Sequence, residues 1–342
     1  MHALVIPLIR LMEISFIIPY YEVAPWLLRR CLNSVCAFMQ QIPDCSWEAW
    51  VVDDGSVDAD AARLEVEHMG VAQICCLRVP HGGLGAARNV GLEHAGGVYV
   101  FFLDADDYLF VQAAVPLLAC CRQRQPDVLS FGMQPVRCTE QEHPNHPVSL
   151  RICYEGSGAG YMVQHNLRAA ACGYMFRRES LGNLRFMTGI FHEDEAFTPR
   201  LWLKAQKVCV TSFPVYAYYQ RNDSIVHVSG RDQLEKRMAD LRLVLNGLQQ
   251  ENTQTDLQQK ALQRRIDTLA SDVWWRLVCE SPDAFFMHSQ FRSLRKIRGY
   301  PLPFHFYTLR YILMYIGSRC GLLAVLGNRI SHLKQLFSSK NQ

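Results

Sequence analysis

The 342-residue sequence predicts an α/β fold, in which a mostly parallel sheet is flanked by helices and followed by a helical C-terminal extension. Up to about residue 131, short apolar runs rich in β-branched and aromatic residues alternate with helical patterns, which indicates consecutive strand–helix units. Each run ends in polar or glycine-rich sequence, and from about residue 232 apolar residues recur at helical spacing only. With 49% hydrophobic residues, the chain can bury the core of such a fold.

The strands are predicted where the short apolar runs lie. In the first part of the chain they are expected at 14–18, 48–52, 74–78, 98–103 and 128–131. A helix is predicted over about 26–38, and Pro25 suits its first turn. Residues 135–160, rich in Pro, His, Gly and Glu, are expected to form a loop or insertion. Later strands are expected at 172–176, 207–211 and 215–220, with a helix beginning near residue 192.

The C-terminal region is predicted to consist of helices. Apolar residues recur at helical spacing over 234–248 and again over 262–277, with a polar break between the two segments. We therefore expect one domain over residues 12–230 and a helical extension over residues 231–342.

The most hydrophobic part of this extension lies at 306–326, where Arg310 and Arg319 interrupt the apolar sequence. An arginine at the centre of a spanning helix costs about 2.5 to 3.5 kcal/mol on insertion scales, so a transmembrane helix is disfavoured. The aromatic and basic residues of the segment predict instead a helix that lies on an anionic membrane surface. The alternative is a helix packed against the protein itself.

Composition limits the partners and the compartment. A net charge of +3 gives no indication of a nucleic-acid partner. The 13 cysteines are odd in number and form no Cys-x-x-Cys pair, a pattern typical of the reducing cytoplasm. The apolar residues 1–11 lack a charged lead and a small-residue cleavage site, so no signal peptide is predicted. We expect a cytoplasmic location.

Two carboxylates, Asp104 and Asp106, follow the predicted strand at 98–103, with Ala105 between them. In an extended backbone, residues two apart point to one side, and the small Ala105 leaves room for a ligand. Oxygen ligands of this kind suit Mg²⁺ or Mn²⁺ bridging a diphosphate. The alternative is that these aspartates cap the next helix.

The carboxylate motif is the last of four sequence motifs that occur in order between about residues 14 and 110: Ser15 to Tyr21, Val52 to Ser56, Gly83 to Gly91 and Leu103 to Asp107. In their order and spacing, the chain resembles family 2 glycosyltransferases of the Rossmann-like GT-A fold. A weaker resemblance continues through His192 to Glu195 and Arg221 to Ser224, to about residue 230. The sequence departs from the family at Pro80 and His81, where the family commonly has an asparagine before the glycine.

The resemblance implies a nucleotide-sugar donor, which we expect to be a UDP-sugar. The donor-binding residues would be Pro19, Tyr20, Tyr21, Asp53, Gly55, Ser56, Gly83, Arg88, Asp104, Ala105, Arg221 and Ser224. Asp53 is implied to accept the imide N–H of uracil, and Tyr20 offers an aromatic ring for stacking. From the residues alone, Asp54 and Gly55 also fit an Asx turn. Arg88 can reach the nucleotide or Asp106, or it is a solvated helix charge or a structural ion pair.

Catalytic and metal-binding roles also come from the resemblance. It implies that Asp194 is the general base, with Glu193 as the second candidate. The alternative is that these carboxylates only stabilise the positive end of a helix dipole. Asp106 would bind Mn²⁺ or Mg²⁺, with His227 as a further ligand. A histidine between valines is also typical of a core or edge residue without a metal.

The reaction implied is an inverting transfer of a sugar to a saccharide or lipid-linked saccharide acceptor, in surface polysaccharide synthesis at the cytoplasmic face of the inner membrane. An NAD(P)-binding oxidoreductase is an alternative, because Gly83-x-Gly85 opens a helix and Asp104 ends the next strand. The glycine pattern of such an enzyme has a third small residue, and in this chain Arg88 occupies that position. A non-catalytic nucleotide-sugar-binding assembly partner is a second alternative, which the presence of both Asp106 and Asp194 disfavours.

Overall fold

The computed structural model describes residues 12–137, 149–220, 231–281, 284–294 and 301–320. The chain divides into two compact units, and neither is continuous in sequence. The first, the sheet unit, comprises Met1–Gly158, Ala169–Gly189 and Lys204–Arg221. The second, the helical unit, comprises Ala159–Arg168, Ile190–Leu203 and Asn222–Gln342.

The sheet unit is built on one sheet. Its strands among the described residues are β1 (Ile14–Tyr20), β2 (Trp47–Asp53), β3 (Ile74–Arg78), β4 (Tyr99–Phe102), β5 (Tyr108–Leu109), β6 (Val128–Val136), β7 (Ile152–Gly156), β8 (Tyr174–Arg177) and β9 (Val208–Tyr219). Their order is β3-β2-β1-β4-β8-β6-β9-β5, and β7 pairs with β9. Strands β3, β2, β1 and β4 are parallel, as are β6 and β9, whereas β8, β5 and β7 run antiparallel to their neighbours. The predicted α/β class is confirmed, with a fully parallel first half and a mixed second half.

Two strand predictions differ from the structure. The segments 207–211 and 215–220 form the single strand β9, and the region 135–160 contains the end of β6 and the whole of β7 rather than only a loop. Strand β7 is an edge strand whose pairing with β9 comes from distant residues. Strand β5 has two residues, too few for an alternating pattern to be visible in the sequence.

The described helices of the sheet unit are α1 (Pro25–Gln40), α2 (Ala61–Met69), α3 (Leu84–His94) and α4 (Ala114–Arg124). Helix α1 begins at Pro25, as predicted, and buries its apolar face. Helix α3 lies close against β1, because a Cβ at Gly91 would come 2.2 Å from Cγ2 of Ile17. This close approach fixes the position of Arg88, which lies about one turn earlier on the same helix.

The remaining described helices are α5 (Gly158–Gln164), α6 (Glu193–Lys204), α7 (Arg231–Gln249), α8 (Asp256–Glu280), α9 (Ala284–Leu294) and α10 (Leu309–Cys320). The apolar faces predicted over 234–248 and 262–277 are buried in α7 and α8, which pack together. Helix α8 begins at the N-cap Thr255, whose side chain accepts a hydrogen bond from the backbone N–H of Gln258.

Helices α5 and α6 group with the C-terminal helices, so the division differs from a single boundary at residue 230. Arg264 Nη1 on α8 donates to the carbonyl oxygen of Val163 at 2.7 Å, and Gln258 Nε2 donates to that of Leu203 at 2.9 Å. Such bonds join residues about 55 to 100 positions apart. A linear pattern of apolar residues carries no signal for them.

Helix α10 leaves one apolar face uncovered. Tyr311 and Met314 are buried, whereas Leu309, Leu313 and Ile316 are exposed. Among the described residues, no helix combines the length and the hydrophobicity that crossing a membrane requires.

Candidate functional site

The two carboxylates Asp104 and Asp106 lie on a turn that directly follows β4, here called the carboxylate turn (104–107). The backbone N–H of Asp107 donates to the carbonyl oxygen of Asp104 at 3.0 Å, which closes the turn. Asp104 and Asp106 are partly exposed, whereas Ala105 between them is buried. Both carboxylates can therefore meet a ligand, while Ala105 packs into the core cluster instead of lining open space.

Asp107 has a structural role in this turn. Its carboxylate accepts hydrogen bonds from the Tyr216 hydroxyl at 2.6 Å and from the Tyr219 backbone N–H at 2.7 Å. The Tyr216 hydroxyl also accepts the backbone N–H of Asp104 at 3.1 Å. Burial, followed by the charges of Asp106 and Asp104, raises the pKa of Asp107. The Asp107 carboxylate therefore binds the turn to β9.

Arg88 is buried beside the carboxylate turn. Its Nη2 lies 3.1 Å from Oδ1 of Asp104, and its guanidinium lies 5.7 Å and 5.4 Å from the ring centroids of Phe102 and Phe186. Of the roles that the sequence allows, a solvated helix charge does not fit a side chain that is 3% exposed. Arg88 therefore forms a structural ion pair, and Asp104 is a partner in it.

Asp53 ends β2, in register with Tyr20 of β1 and Arg78 of β3. Its Oδ1 accepts the Ser56 backbone N–H at 3.0 Å, and its Oδ2 is paired with Arg78. Arg78 Nη2 also donates to the Ser56 carbonyl oxygen at 2.7 Å. In place of the alternative Asx turn at Asp54, the Ser56 N–H is thus bonded to Asp53, three residues earlier. Sequence reasoning missed Arg78. The sequence could have indicated Arg78, because it ends a predicted strand that follows the strand ending before Asp53.

Asp54 joins β2 to the glycine loop before α3. Its two carboxylate oxygens accept the backbone N–H groups of Gly82 at 2.9 Å and Gly83 at 2.8 Å. Gly83 has φ +87° at the N-cap of α3, and Gly55 has φ +74°, conformations that favour glycine. At Gly55 a Cβ would also lie 2.8 Å from the backbone nitrogen of His81.

Aromatic side chains at the end of β1 differ in their exposure. Pro19 and Tyr20 are buried, and the Tyr20 hydroxyl donates to the carbonyl oxygen of Val23 at 2.6 Å. The predicted stacking surface at Tyr20 is therefore inside the core, because β1 continues as a central strand to that residue. Tyr21 is 41% exposed and stacks on His81, with ring centroids 4.4 Å apart and planes 25° from parallel. The exposed aromatic surface is formed by Tyr21 and His81.

In the helical unit, Glu193, Asp194 and Glu195 form the first turn of α6. Glu193 is buried, whereas Asp194 is partly exposed and its Oδ1 accepts the Glu195 backbone N–H at 2.8 Å. Glu195 is paired with the buried Arg265 of α8, whose Nη1 donates to the Leu167 carbonyl oxygen at 3.0 Å. Of the two candidate bases, Asp194 is the more accessible.

Two basic side chains lie near this turn, the buried Arg265 and the half-buried His192. Burial lowers the pKa of Arg265 to about 10, although the charges of Asp272 and Asp194 oppose the shift. Burial and the charges of Arg276 and Arg237 lower the pKa of His192 to about 4. His192 is therefore neutral at neutral pH. The positive charge beside the first turn of α6 comes from Arg265, Arg276 and Arg237.

Three predicted site residues, Arg221, Ser224 and His227, lie outside the described residues. In the part of the chain that the structure describes, no group of three or more His, Cys, Asp or Glu side chains is arranged to hold a metal ion. The carboxylate turn nevertheless fits Mg²⁺ or Mn²⁺ with a diphosphate, because these ions usually take one or two carboxylates and complete their shell with phosphate oxygens and water.

Comparison with known proteins gives the class. The family described as Glycosyl transferase family 2 matches residues 15–185. The chain belongs to glycosyltransferase family 2, which leaves the oxidoreductase alternative without support.

Curated relatives agree with this class. The chain is 25% identical over 241 residues to the uncharacterized glycosyltransferase EpsJ of Bacillus subtilis, covering 66% of each chain. It is 26% identical over 234 residues to the poly(ribitol-phosphate) beta-N-acetylglucosaminyltransferase TarS of Staphylococcus aureus, covering 66% of this chain and 39% of TarS. The chain thus spans only part of the length of these relatives.

Solved structures share the fold. The S. aureus TarS 1-349 structure in complex with UDP-GlcNAc has a TM-score of 0.60 and 19% identity, covering 91% of this chain and 92% of that chain. The mannosyltransferase PcManGT from Pyrobaculum calidifontis in complex with GDP-Man and Mn²⁺ has a TM-score of 0.55 and 15% identity, covering 94% and 84%. At these identities the likeness shows the fold alone, which is the predicted GT-A fold.

The Asp54 contacts lead to a prediction about stability. Replacing Asp54 by Ala removes the acceptor of two backbone N–H groups, so we expect the free energy of unfolding to fall by about 2 kcal/mol. Urea denaturation measures this change. Asp58→Ala is the control, because Asp58 is exposed and water can replace its single bond to the Asp60 N–H. Equal losses in both variants would contradict the structural role of Asp54.

Proposed function

We propose that this chain is an inverting, metal-dependent glycosyltransferase, which moves a sugar from a UDP-sugar to a saccharide or lipid-linked saccharide acceptor in surface polysaccharide synthesis. The carboxylate turn beside the buried Arg88 carries this proposal. It presents two carboxylates at the carboxyl edge of the parallel strands, where α/β sheets bind ligands. Among proteins of similar fold, TarS has been solved with UDP-GlcNAc and PcManGT with GDP-Man and Mn²⁺.

The donor base would be recognised at the ends of β1 and β2. Asp53 is a suitable acceptor for the uracil imide N–H, and its Oδ2 would then accept hydrogen bonds from both the base and Arg78. The exposed stack of Tyr21 and His81 offers a flat surface of the kind on which a base packs. The glycines Gly55 and Gly83 permit close approach of the backbone to the donor.

The diphosphate would be bound at the carboxylate turn. Asp106 would hold Mn²⁺ or Mg²⁺, and the bound ion supplies positive charge that stabilises the leaving nucleoside diphosphate. The ion pair with Arg88 fixes the side chain of Asp104 in place. We carry over from the family resemblance that Arg221 and Ser224 contact the diphosphate and that His227 adds a further metal ligand.

Asp194 would activate the acceptor. As an ionised carboxylate at the N-terminal turn of α6, it would take the proton from the acceptor hydroxyl as that oxygen attacks the anomeric carbon, with inversion. Glu193 is less suited to this role because its side chain is buried.

A screen of nucleotide-sugar hydrolysis, with and without Mn²⁺, tests the donor and the metal together. We expect turnover of UDP-sugars that depends on Mn²⁺ or Mg²⁺, and Asp106→Asn should lower kcat/KM roughly a hundredfold or more because the leaving group loses its charge stabilisation. Asp58→Asn, an exposed aspartate of the same unit, should change it little. Metal-independent turnover, or full activity of Asp106→Asn, would remove the metal from the reaction.

Replacement of Asp194 tests the catalytic role against the alternative of a non-catalytic nucleotide-sugar-binding partner. Asp194→Asn should reduce kcat for sugar transfer by about 10²- to 10⁴-fold and leave UDP binding, measured by calorimetry, unchanged. Asp232→Asn, in the exposed first turn of α7, is the matched control. Unimpaired sugar transfer in Asp194→Asn would exclude Asp194 as the base. If the unaltered chain binds the donor but transfers no sugar, the alternative of a non-catalytic nucleotide-sugar-binding partner is supported.

We further propose that the chain works at the cytoplasmic face of the inner membrane, bound through α10. Leu313 and Ile316 form part of its uncovered face, and the exposed Phe304 and Phe306 precede it. The sequence beyond residue 320 adds basic residues suited to anionic lipid.

In vesicle sedimentation, Leu313→Asp/Ile316→Asp should bind anionic phospholipid vesicles at least tenfold more weakly. Leu243→Asp, at an exposed position of α7, should bind normally. Equal binding by both variants, or none by the unaltered chain, would contradict this location.

A further inference from the structure

Arg30 is a buried arginine of α1 that none of the roles described so far uses. It is 8% exposed, and its Nη2 donates to the carbonyl oxygen of Asp106 at 2.7 Å. Its guanidinium carbon lies 4.4 Å from the ring centroid of Tyr219, 4.9 Å from that of Tyr108 and 5.5 Å from that of Trp26. These three rings form a cage around the guanidinium, which we call the aromatic cage.

The aromatic cage joins the three parts of the sheet unit that meet at the carboxylate turn. Trp26 lies on α1, Tyr108 follows the turn, and Tyr219 ends β9. The backbone N–H of Tyr219 also donates to Asp107. Arg30 therefore contacts the turn at the Asp106 backbone and packs against Tyr219, one of the two residues that donate to Asp107.

Stability alone gives a poor account of this arginine. Among the described residues, neither Nε nor Nη1 of Arg30 has a hydrogen-bond partner. A buried charge with unmade hydrogen bonds is costly, and an apolar side chain of similar volume in its place is often neutral or stabilising. A planar guanidinium, by contrast, can lie against aromatic faces and still direct one N–H at a carbonyl oxygen, which neither Lys nor Met can do as well.

From this geometry we propose that Arg30 is a positioning residue for the metal–diphosphate site. It fixes the backbone of Asp106 through its carbonyl oxygen, so that the Asp106 carboxylate is held in place before a divalent cation and a nucleoside diphosphate bind. Together with Arg88, which binds the Asp104 side chain, it offsets the repulsion among three carboxylates within four residues. The proposal rests on the proposed metal-dependent function.

Arg30 and its neighbour Arg29 offer a matched pair of variants. Arg29 is exposed on the same helix and pairs with the buried Glu65, with Nε and Oε2 2.7 Å apart. Arg29→Met leaves Glu65 without that partner, so it should lower the urea midpoint and leave Mn²⁺ binding unchanged. Arg30→Met should do the opposite, with a urea midpoint close to that of the unaltered chain and weaker Mn²⁺ binding.

The experiment measures the Mn²⁺ dissociation constant of the full chain in the presence of saturating UDP, by electron paramagnetic resonance of free Mn²⁺. We expect Arg30→Met to raise this constant about tenfold and Arg30→Lys, which keeps the charge without the planar fork, to raise it about threefold. Binding of UDP in EDTA should stay within twofold for every variant.

Three results would overturn the positioning role. One is an unchanged constant in Arg30→Met, and another is tighter Mn²⁺ binding, which is the effect of simply removing a positive charge near carboxylates. The third is a loss of Mn²⁺ binding that parallels a fall in the urea midpoint in both Arg30→Met and Arg30→Lys, because that pattern indicates damage to the fold. If the unaltered chain binds no Mn²⁺ with UDP, the metal-dependent function itself fails, and the role of Arg30 fails with it.

Discussion

The bond between Tyr216 and Asp107 is the interaction on which the carboxylate turn depends. It holds a buried carboxylate against β9, while the same hydroxyl accepts the backbone N–H of Asp104. Three aspartates within four residues repel one another, and burial of Asp107 adds to the cost of its ionisation. Donors from β9 and from two buried arginines surround the turn and fix its conformation.

The same principle applies at the other strand ends of the sheet unit. Asp53 and Asp54 direct their carboxylates at backbone N–H groups and at Arg78, so the loops after β2 and β3 are tied to each other. Side chain-to-backbone bonds of this kind fix loop geometry before any ligand arrives. A site organised in advance binds a charged ligand without the cost of ordering its own loops.

The acidic turn of α6 depends on residues far along the chain. Glu195, the last of its three carboxylates, is paired with Arg265 of α8, and Phe191 just before the turn donates its backbone N–H to Asp240 of α7 at 2.9 Å. The C-terminal helices therefore hold the turn that carries Asp194. For this reason they form one unit with α6 in the structure.

The sequence by itself determined the α/β class, the parallel strands β1 to β4, the faces of α7 and α8, and the family, because strand alternation, helical spacing and ordered polar motifs are local signals. It also placed Asp53, Arg88 and the carboxylate turn at one sheet edge, since parallel strands share their carboxyl ends. Only the tertiary structure decided that Asp107 is structural, that Tyr21 rather than Tyr20 is exposed, and that Arg30 reaches Asp106. Each of these depends on contacts between residues distant in sequence, whose partners no local pattern identifies.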